Sequence, residues 1–467
     1  MSEPDWREAP LYQVAADIVA GRLSAVDYAE IVSAAIKAHA SLKAIVIWDE
    51  AMLAADARAM DTALAHSGPL GPLHGIPMVL KDNINTSALP TSAGTPALLG
   101  NMPGANAPLA TRLFTAGALL AGKGNLHELS SGGTSANHVF GPARNPYDLT
   151  RVPGGSSGGT AAAVAARIVP AGVGTDTAGS VRVPASLCGV IGFHPTNGRY
   201  PAAGIVPLSS SLDTAGPIAR RMRDIVVLDA VMSGQSLQVE AWPLSSLRLG
   251  VARDLIEDST DEVAAATEVA LKALQDAGAT LVPVGLEPIR ELNTAAADAV
   301  IDLDFLKDMT AYLADYAPGV SLQKLVDGIA SPSAHRRTKS RVTDPPAFEA
   351  YDKAQQVARP RLDAAWQALH AEHEIDAVAM PTTLDVALPL DQDDSVIRNG
   401  ESVFSWFYFA HTALASIGRR PGISLPIGLS KSGFPVGLEL DSLAGEDQKL
   451  LSIAMALEDV LPSTPAP

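Results

Sequence analysis

From about Ile76 to the C-terminus, short apolar runs alternate with stretches of helical periodicity, and this alternation narrows the chain to few architectures. Ile76-Pro-Met-Val-Leu80 reads as a strand ending at Lys81, Gly117 to Ala121 as a second and Gly189 to Phe193 as a third. Leu247 to Ala252, Thr280 to Val284, Ile375 to Met380 and Pro435 to Leu440 continue the series. Thr160 to Ala166 is apolar on every side, as a helix buried at the centre of a fold would be. Ser259-x-x-Glu262 reads as a capping box that opens a helix stopped by Gly278, and a last helix is expected over 446–461. Such a pattern predicts an α/β protein: a three-layer α/β/α sandwich with helices on both faces of one large, mostly parallel or mixed sheet.

The chain of 467 residues shows no internal repeat and no linker before the tail Pro462 to Pro467, which is expected to fray. One domain over 1–467 is therefore expected, with N-terminal helices within 1–66 and a helical excursion over 285–350. That excursion carries the basic patch His335 to Arg341 and reads either as a cap over a site or as a peripheral addition. A formal net charge of −17, with no basic run beyond that short patch, argues against nucleic acid and anionic membrane as natural partners. The single cysteine, Cys188, lies in an apolar stretch and reads as a small buried hydrophobe; it cannot form an intrachain disulfide. Acids near the N-terminus replace the basic region of a signal peptide, and no apolar run reaches the roughly 20 residues of a membrane span. A cytoplasmic enzyme is the expectation.

Two Gly/Ser-rich turns carry the chemistry. Pro153-Gly-Gly-Ser-Ser-Gly-Gly159 precedes the apolar helix, and Gly174-Thr-Asp-Thr-Ala-Gly-Ser180 follows it. A hydroxyl nucleophile needs close approach by substrate and donors aimed at the developing oxyanion, which small residues and successive backbone N–H groups supply. Gly154-Gly-Ser-Ser-Gly-Gly159 followed by Asp176-x-x-Gly-Ser-x-Arg-x-Pro184 resembles the signature of the amidase signature family, as does the 24-residue separation of Ser156 from Ser180. Pro77-Met-Val-Leu-Lys81-Asp82-Asn83 is similar to that family's lysine segment, and the resemblance is densest over 71–220, its catalytic core.

The resemblance implies the amidase signature fold, no cofactor, no metal and a homodimer. It also implies roles: Ser180 as nucleophile, Ser156 as proton relay beside a cis peptide bond, and Lys81 as the base. Serine needs an adjacent base, and lysine, normally near pKa 10.4, serves only if burial or positive neighbours lower it. Thr177, Ala178, Gly179 and Ser180 would supply oxyanion N–H groups, and Ser130, Ser131 and Gly132 would line the acyl pocket. Ala178 stands where the family pattern has a second glycine, so a positive φ there would be costly. Asp176 and Arg182 are expected to brace the loop.

The segments at 90–97, 125–129, 197–201 and 395–400 are similar to the indoleacetamide and mandelamide hydrolases of that family, which release ammonia from aryl-acetamides. A small-molecule amide is thus the expected substrate. Carbamate esters and anilides would meet the same groups, and a glutamine-hydrolysing subunit of a tRNA-modifying assembly is a further alternative. Gly154-x-Ser156-x-Gly158 also fits a nucleophile elbow, but Val152-Pro153 ends no strand convincingly, although His335, His370, His373 and His411 follow. Gly117 to Lys123 lacks the Ser/Thr of a phosphate loop, and His370-x-x-His373 reads as a solvated helix face with no metal.

Overall fold

Strands in the computed structural model, which describes residues 5–235, 239–391 and 393–467, are β1 (Ile45–Ile47), β2 (Ile76–Lys81), β3 (Ala118–Gly124), β4 (Ala171–Asp176), β5 (Ile191–His194), β6 (Thr214–Ala219), β7 (Arg248–Ala252), β8 (Thr280–Val284), β9 (Ala377–Pro381), β10 (Ser395–Arg398), β11 (Glu401–Phe404), β12 (Gly422–Leu429) and β13 (Pro435–Asp441). Residues 1–4, part of the N-terminal segment weighed above, lie outside the described residues. Eleven strands form one mixed sheet in the order β1-β3-β2-β4-β6-β5-β12-β13-β9-β7-β8, and β10–β11 is a separate hairpin. The pairs β2–β3, β2–β4, β7–β8 and β7–β9 are parallel, whereas the centre from β4 to β9 is joined by antiparallel pairs. Every residue of β2, β3, β4 and β13 is buried, so both faces of the sheet are covered there, as the sandwich requires.

The apolar helix is observed over Gly158–Ala165 with all eight residues buried. It lies on β4 at a distance that only glycine tolerates. A Cβ at Gly172 would stand 2.6 Å from Thr160 Cγ2, and one at Gly174 would stand 2.6 Å from Ser157 Oγ. We expect Gly174→Ala to lower stability by about 1–3 kcal/mol through overpacking. Gly100→Ala, at a position with open space around it, serves as the control in the same urea titration. Equal midpoints for the two variants would contradict the close-approach argument.

Several expectations need correction. No capping box forms at Ser259: the helix is Asp261–Asp276, Thr260 is its N-cap without a side-chain bond, and Ser259 Oγ donates to Leu255 O. Glu262 turns away to accept from Ser432. The strand expected from Gly189 starts at Ile191, because Gly189 is the left-handed cap of the helix Arg182–Cys188. Gly174 to Asp176, read as turn, belongs to β4. The tail is pinned, with Tyr147 Oη donating to Pro465 O (2.6 Å) and Gly428 N–H to Thr464 Oγ1 (3.0 Å). His370 is buried beside Trp366 rather than solvated, and burial lowers it to about 4. The excursion forms the helices Glu287–Tyr316, Leu322–Asp327 and Pro332–Thr343. No helix among the described residues is long and apolar enough to cross a membrane.

Candidate active site

Strand β2 ends by delivering Lys81 into the interior, where its side chain is fully buried. Its Nζ donates to Ser156 Oγ at 2.6 Å and to Thr175 Oγ1 at 2.8 Å, and lies 3.4 Å from Thr175 O. These partners are neutral. Burial therefore dominates and lowers Lys81 from 10.5 to about 7, opposed by the more distant carboxylates of Asp213 and Asp176. Asn83 Nδ2 donates to Thr175 Oγ1 at 3.0 Å and holds that hydroxyl in place. Next to Lys81, Asp82 pairs with a second buried lysine, Lys123, at 3.7 Å. Lys123 lies within β3 and also donates to Ile84 O and Thr91 Oγ1, so the partial phosphate-loop match is strand and core.

The two Gly/Ser-rich turns are clasped together. Ser157 N–H donates to Ser180 O (3.1 Å), Ser157 Oγ donates to Thr175 O (3.1 Å), and Thr175 N–H donates to Ser157 Oγ (3.2 Å). Ser135 closes the first turn by donating to Gly154 O (2.8 Å) and accepting from Gly158 N–H (2.9 Å). The Gly155–Ser156 peptide bond is cis. Ser180, 5% exposed, closes the second turn. Gly179 has φ 137°, and a side chain there would run into Thr412, while Ala178 is not among the positive-φ residues. One glycine is sufficient, and the anticipated cost at Ala178 does not arise. The Gly179 N–H is committed to Asp176 Oδ1 at 2.7 Å, which leaves Thr177, Ala178 and Ser180 as the loop's available donors.

Beneath this loop lies a buried ionic network. Asp176 accepts from Val181 N–H and from Arg182 Nε (both 3.1 Å), and Arg182 also reaches Ser416 Oγ (2.6 Å) and the Glu439 carboxylate. Although burial opposes it, the Arg182 guanidinium and the neighbouring His194 hold Asp176 well below the usual carboxylate range. Burial and the Glu439 carboxylate raise Asp441 well above it. Asp176 and Arg182 thus brace the loop, the role that the family resemblance implied for them.

Ser130 meets Asn83, which holds the lysine's partner Thr175, and Gly132 O lies close to Gly155, next to Ser156, with Ser131 between them in the same loop. Ser130 Oγ is 3.4 Å from Asn83 Nδ2, and Leu129 and Ser130 both adopt left-handed conformations. Gly132 packs so close to His127 that a Cβ would stand 2.5 Å from the ring. The loop is tied to the helical excursion: the Glu128 carboxylate accepts from Ala330 N–H (3.0 Å) and Ser331 N–H (2.7 Å), and Arg337 donates to Ser131 O. None of the side chains of His335, His370, His373 or His411 is hydrogen-bonded to Ser156 among the described residues, and no strand leads directly into that serine, so the elbow reading fails.

Sequence reasoning missed Thr175, Asn83 and Asp213. Asn83 lies within the quoted lysine segment, and Thr175 adjoins Asp176, so both were within reach. Asp213 had no such signal. Its Oδ1 accepts from Thr177 Oγ1 at 2.5 Å, and its Oδ2 accepts from Leu208 N–H (2.7 Å) and Ser209 N–H (3.0 Å). Desolvation raises it to about 6 despite these bonds and the nearby Lys81 charge. Among the described residues no cluster of three or more His, Cys, Asp or Glu could hold a metal ion.

Comparison with known proteins follows the same lines. The family model described as Amidase matches residues 29–451. The chain is 40% identical over 441 residues to an indoleacetamide hydrolase of Agrobacterium vitis, covering 94% of each chain. It is 38% identical over 446 residues to a mandelamide hydrolase of Pseudomonas putida, covering 91% of this chain and 86% of that one. A peptide amidase from Stenotrophomonas maltophilia superposes with a TM-score of 0.86 at 28% identity, over 99% of both chains.

Proposed function

The chain belongs to the amidase family, and on that premise we propose that this amide hydrolase cleaves an aryl-acetamide-type primary amide through an acyl-enzyme on Ser180, releasing ammonia. The observation that carries the mechanism is the 2.6 Å hydrogen bond between Lys81 Nζ and Ser156 Oγ in a fully buried setting. In the neutral form Lys81 accepts the Ser156 proton while Ser156 accepts the proton of Ser180. Ser180 Oγ then bonds to the carbonyl carbon, and the carbonyl oxygen becomes an oxyanion facing the N–H groups of Thr177, Ala178 and Ser180. Collapse breaks the C–N bond as the relay returns a proton to the departing nitrogen, which leaves as ammonia. Water then attacks the ester through the same relay and frees the carboxylate and Ser180. Ser130, Ser131 and Gly132 form the wall against the acyl group.

Similarity to the indoleacetamide and mandelamide hydrolases supports the aryl-acetamide class. The test is ammonia release from indole-3-acetamide and mandelamide, set beside an aryl carbamate, an anilide and glutamine. Preference for any of the last three would displace the aryl-acetamide reading. Added hydroxylamine is expected to divert part of the product to the hydroxamate, and exclusive formation of the acid would argue against the acyl-enzyme.

A pH dependence follows from Lys81. Only its neutral form is a base, and its pKa lies near 7. We expect kcat/KM to fall about tenfold per pH unit below that value and to level off above it. Asp213, raised to about 6 by burial, contributes a negative charge that raises Lys81. Removing its charge with Asp213→Asn withdraws a contribution that raises Lys81, so the acid limb should move to lower pH. A limb that stays in place would separate Asp213 from the base.

A further inference from the structure

One aromatic ring bridges the Ser180 turn and the loop of Ser130, Ser131 and Gly132. Phe409 closes the short helical turn Ser405–Phe409. A Cβ at Gly179, the chain neighbour of Ser180, would stand 3.2 Å from Phe409 Cδ1, and one at Gly133 would stand 3.2 Å from Phe409 Cε2. These are opposite corners of the ring, so it spans the gap between the two glycines. Gly133 in turn backs onto Gly155, the chain neighbour of Ser156, where a Cβ would stand 2.8 Å from the Gly133 carbonyl carbon. Resting on the hydrolytic reading above, we propose that Phe409 is a specificity-determining residue: the ring of an aryl-acetamide packs against it, and that contact sets the preference for an aryl over an alkyl acyl group.

The residues around it leave this task to Phe409. Ser130, Ser131, Gly132, Gly133 and Ala178 offer hydroxyls, backbone or a single methyl group, none of which favours a ring over an alkyl group of equal bulk. Two aromatic rings gain a directional attraction beyond the area they bury. The ring is as accessible as the proposed nucleophile beside it, 8% exposed against 5% for Ser180.

Its mounting is rigid. Trp406 meets the ring edge to face, with centroids 6.2 Å apart and planes at 89°. Thr412 Oγ1 donates to Ala178 O at 2.8 Å and lies 3.4 Å from Phe409 O, which ties the backbone of Phe409 to the Ser180 turn. Ser405 N–H donates to Asp394 O and Gly133 N–H to Asp394 Oδ1, both at 3.0 Å, so the helical turn and the facing loop share one anchor. A ring fixed in this way loses little freedom when a ligand packs on it, and less of the contact is spent on ordering.

The test compares kcat/KM for phenylacetamide and cyclohexylacetamide, two primary amides of similar bulk, in wild type, Phe409→Leu and Phe409→Met. Wild type is expected to favour phenylacetamide by about fivefold, the scale of one aromatic pair, and both variants should bring the ratio below about twofold. Damage to the fold alone would lower both values alike and leave the ratio unmoved. Should Phe409→Leu misfold, Phe409→Met decides, because the flexible methionine side chain fills irregular gaps. A wild-type ratio near one, or a wild-type ratio that a folded variant retains, overturns the proposal. Turnover of both amides with an unmoved ratio removes only the role of Phe409. If wild type hydrolyses neither amide, the hydrolytic reading fails, and the ratio of their dissociation constants, read by calorimetry in the same three proteins, still decides on Phe409.

Discussion

Replacing Ser180 with alanine is expected to lower kcat for an aryl-acetamide by roughly 10⁶-fold, the scale on which a serine hydrolase loses activity with its nucleophile. Lys81→Met should cost nearly as much. Methionine fills a similar volume and removes a buried cation, so folding is expected to survive the change. In the proposed relay the three groups act as one unit; Lys81 Nζ lies on Ser156 Oγ and the two serine turns are clasped by Ser157. The double variant should therefore be no slower than Ser180→Ala alone. Ammonia release at saturating substrate measures all three. A Ser180→Ala enzyme that kept about a tenth of the wild-type rate would move the nucleophile elsewhere, and strictly multiplicative losses would dissolve the relay.

The largest stability effect is expected at Arg182. Its side chain is fully buried and contacts Asp176, Glu439 and Ser416 from one position. Arg182→Ala leaves Asp176 as an uncompensated charge in the core and should destabilise the fold by about 3–5 kcal/mol. Arg182→Lys keeps the charge but lacks the planar fork that spans three partners, so an intermediate loss is expected. Urea midpoints at pH 7 would measure both. A loss below about 1 kcal/mol for the alanine variant would mean that the network adds little to the fold. Activity should fall along with stability, because Asp176 also holds the N–H groups of Gly179 and Val181 in the loop proposed to receive the oxyanion.

Much of this site is legible in local sequence because its groups lie in short segments whose small residues have a chemical purpose. Lys81 ends an apolar run, Ser156 and Ser180 sit in Gly/Ser turns, and the apolar helix between them can only be central. The strands β2, β7, β9 and β13 were readable for the same reason, as apolar runs covered on both faces or nearly so, whereas β8, at the sheet edge and largely uncovered, was readable only from its short apolar run. β6, with the sequence Thr-Ala-Gly-Pro-Ile-Ala, was not. It is a strand because β4 and β5 pair with it on either side, and no local preference announces that.

The sequence by itself determined the α/β class, the alternation of strand and helix, and the residue types gathered in the two turns. Tertiary structure alone decided which partners surround those residues. Burial and neutral neighbours bring Lys81 to about 7, contact with helix Gly158–Ala165 demands the glycines of β4, and Asp213 reaches Thr177 from 36 positions away. The physical reason is range. Hydrophobic periodicity and turn chemistry act within a few residues, whereas desolvation, charge pairing and close packing depend on groups that meet only once the sheet is assembled.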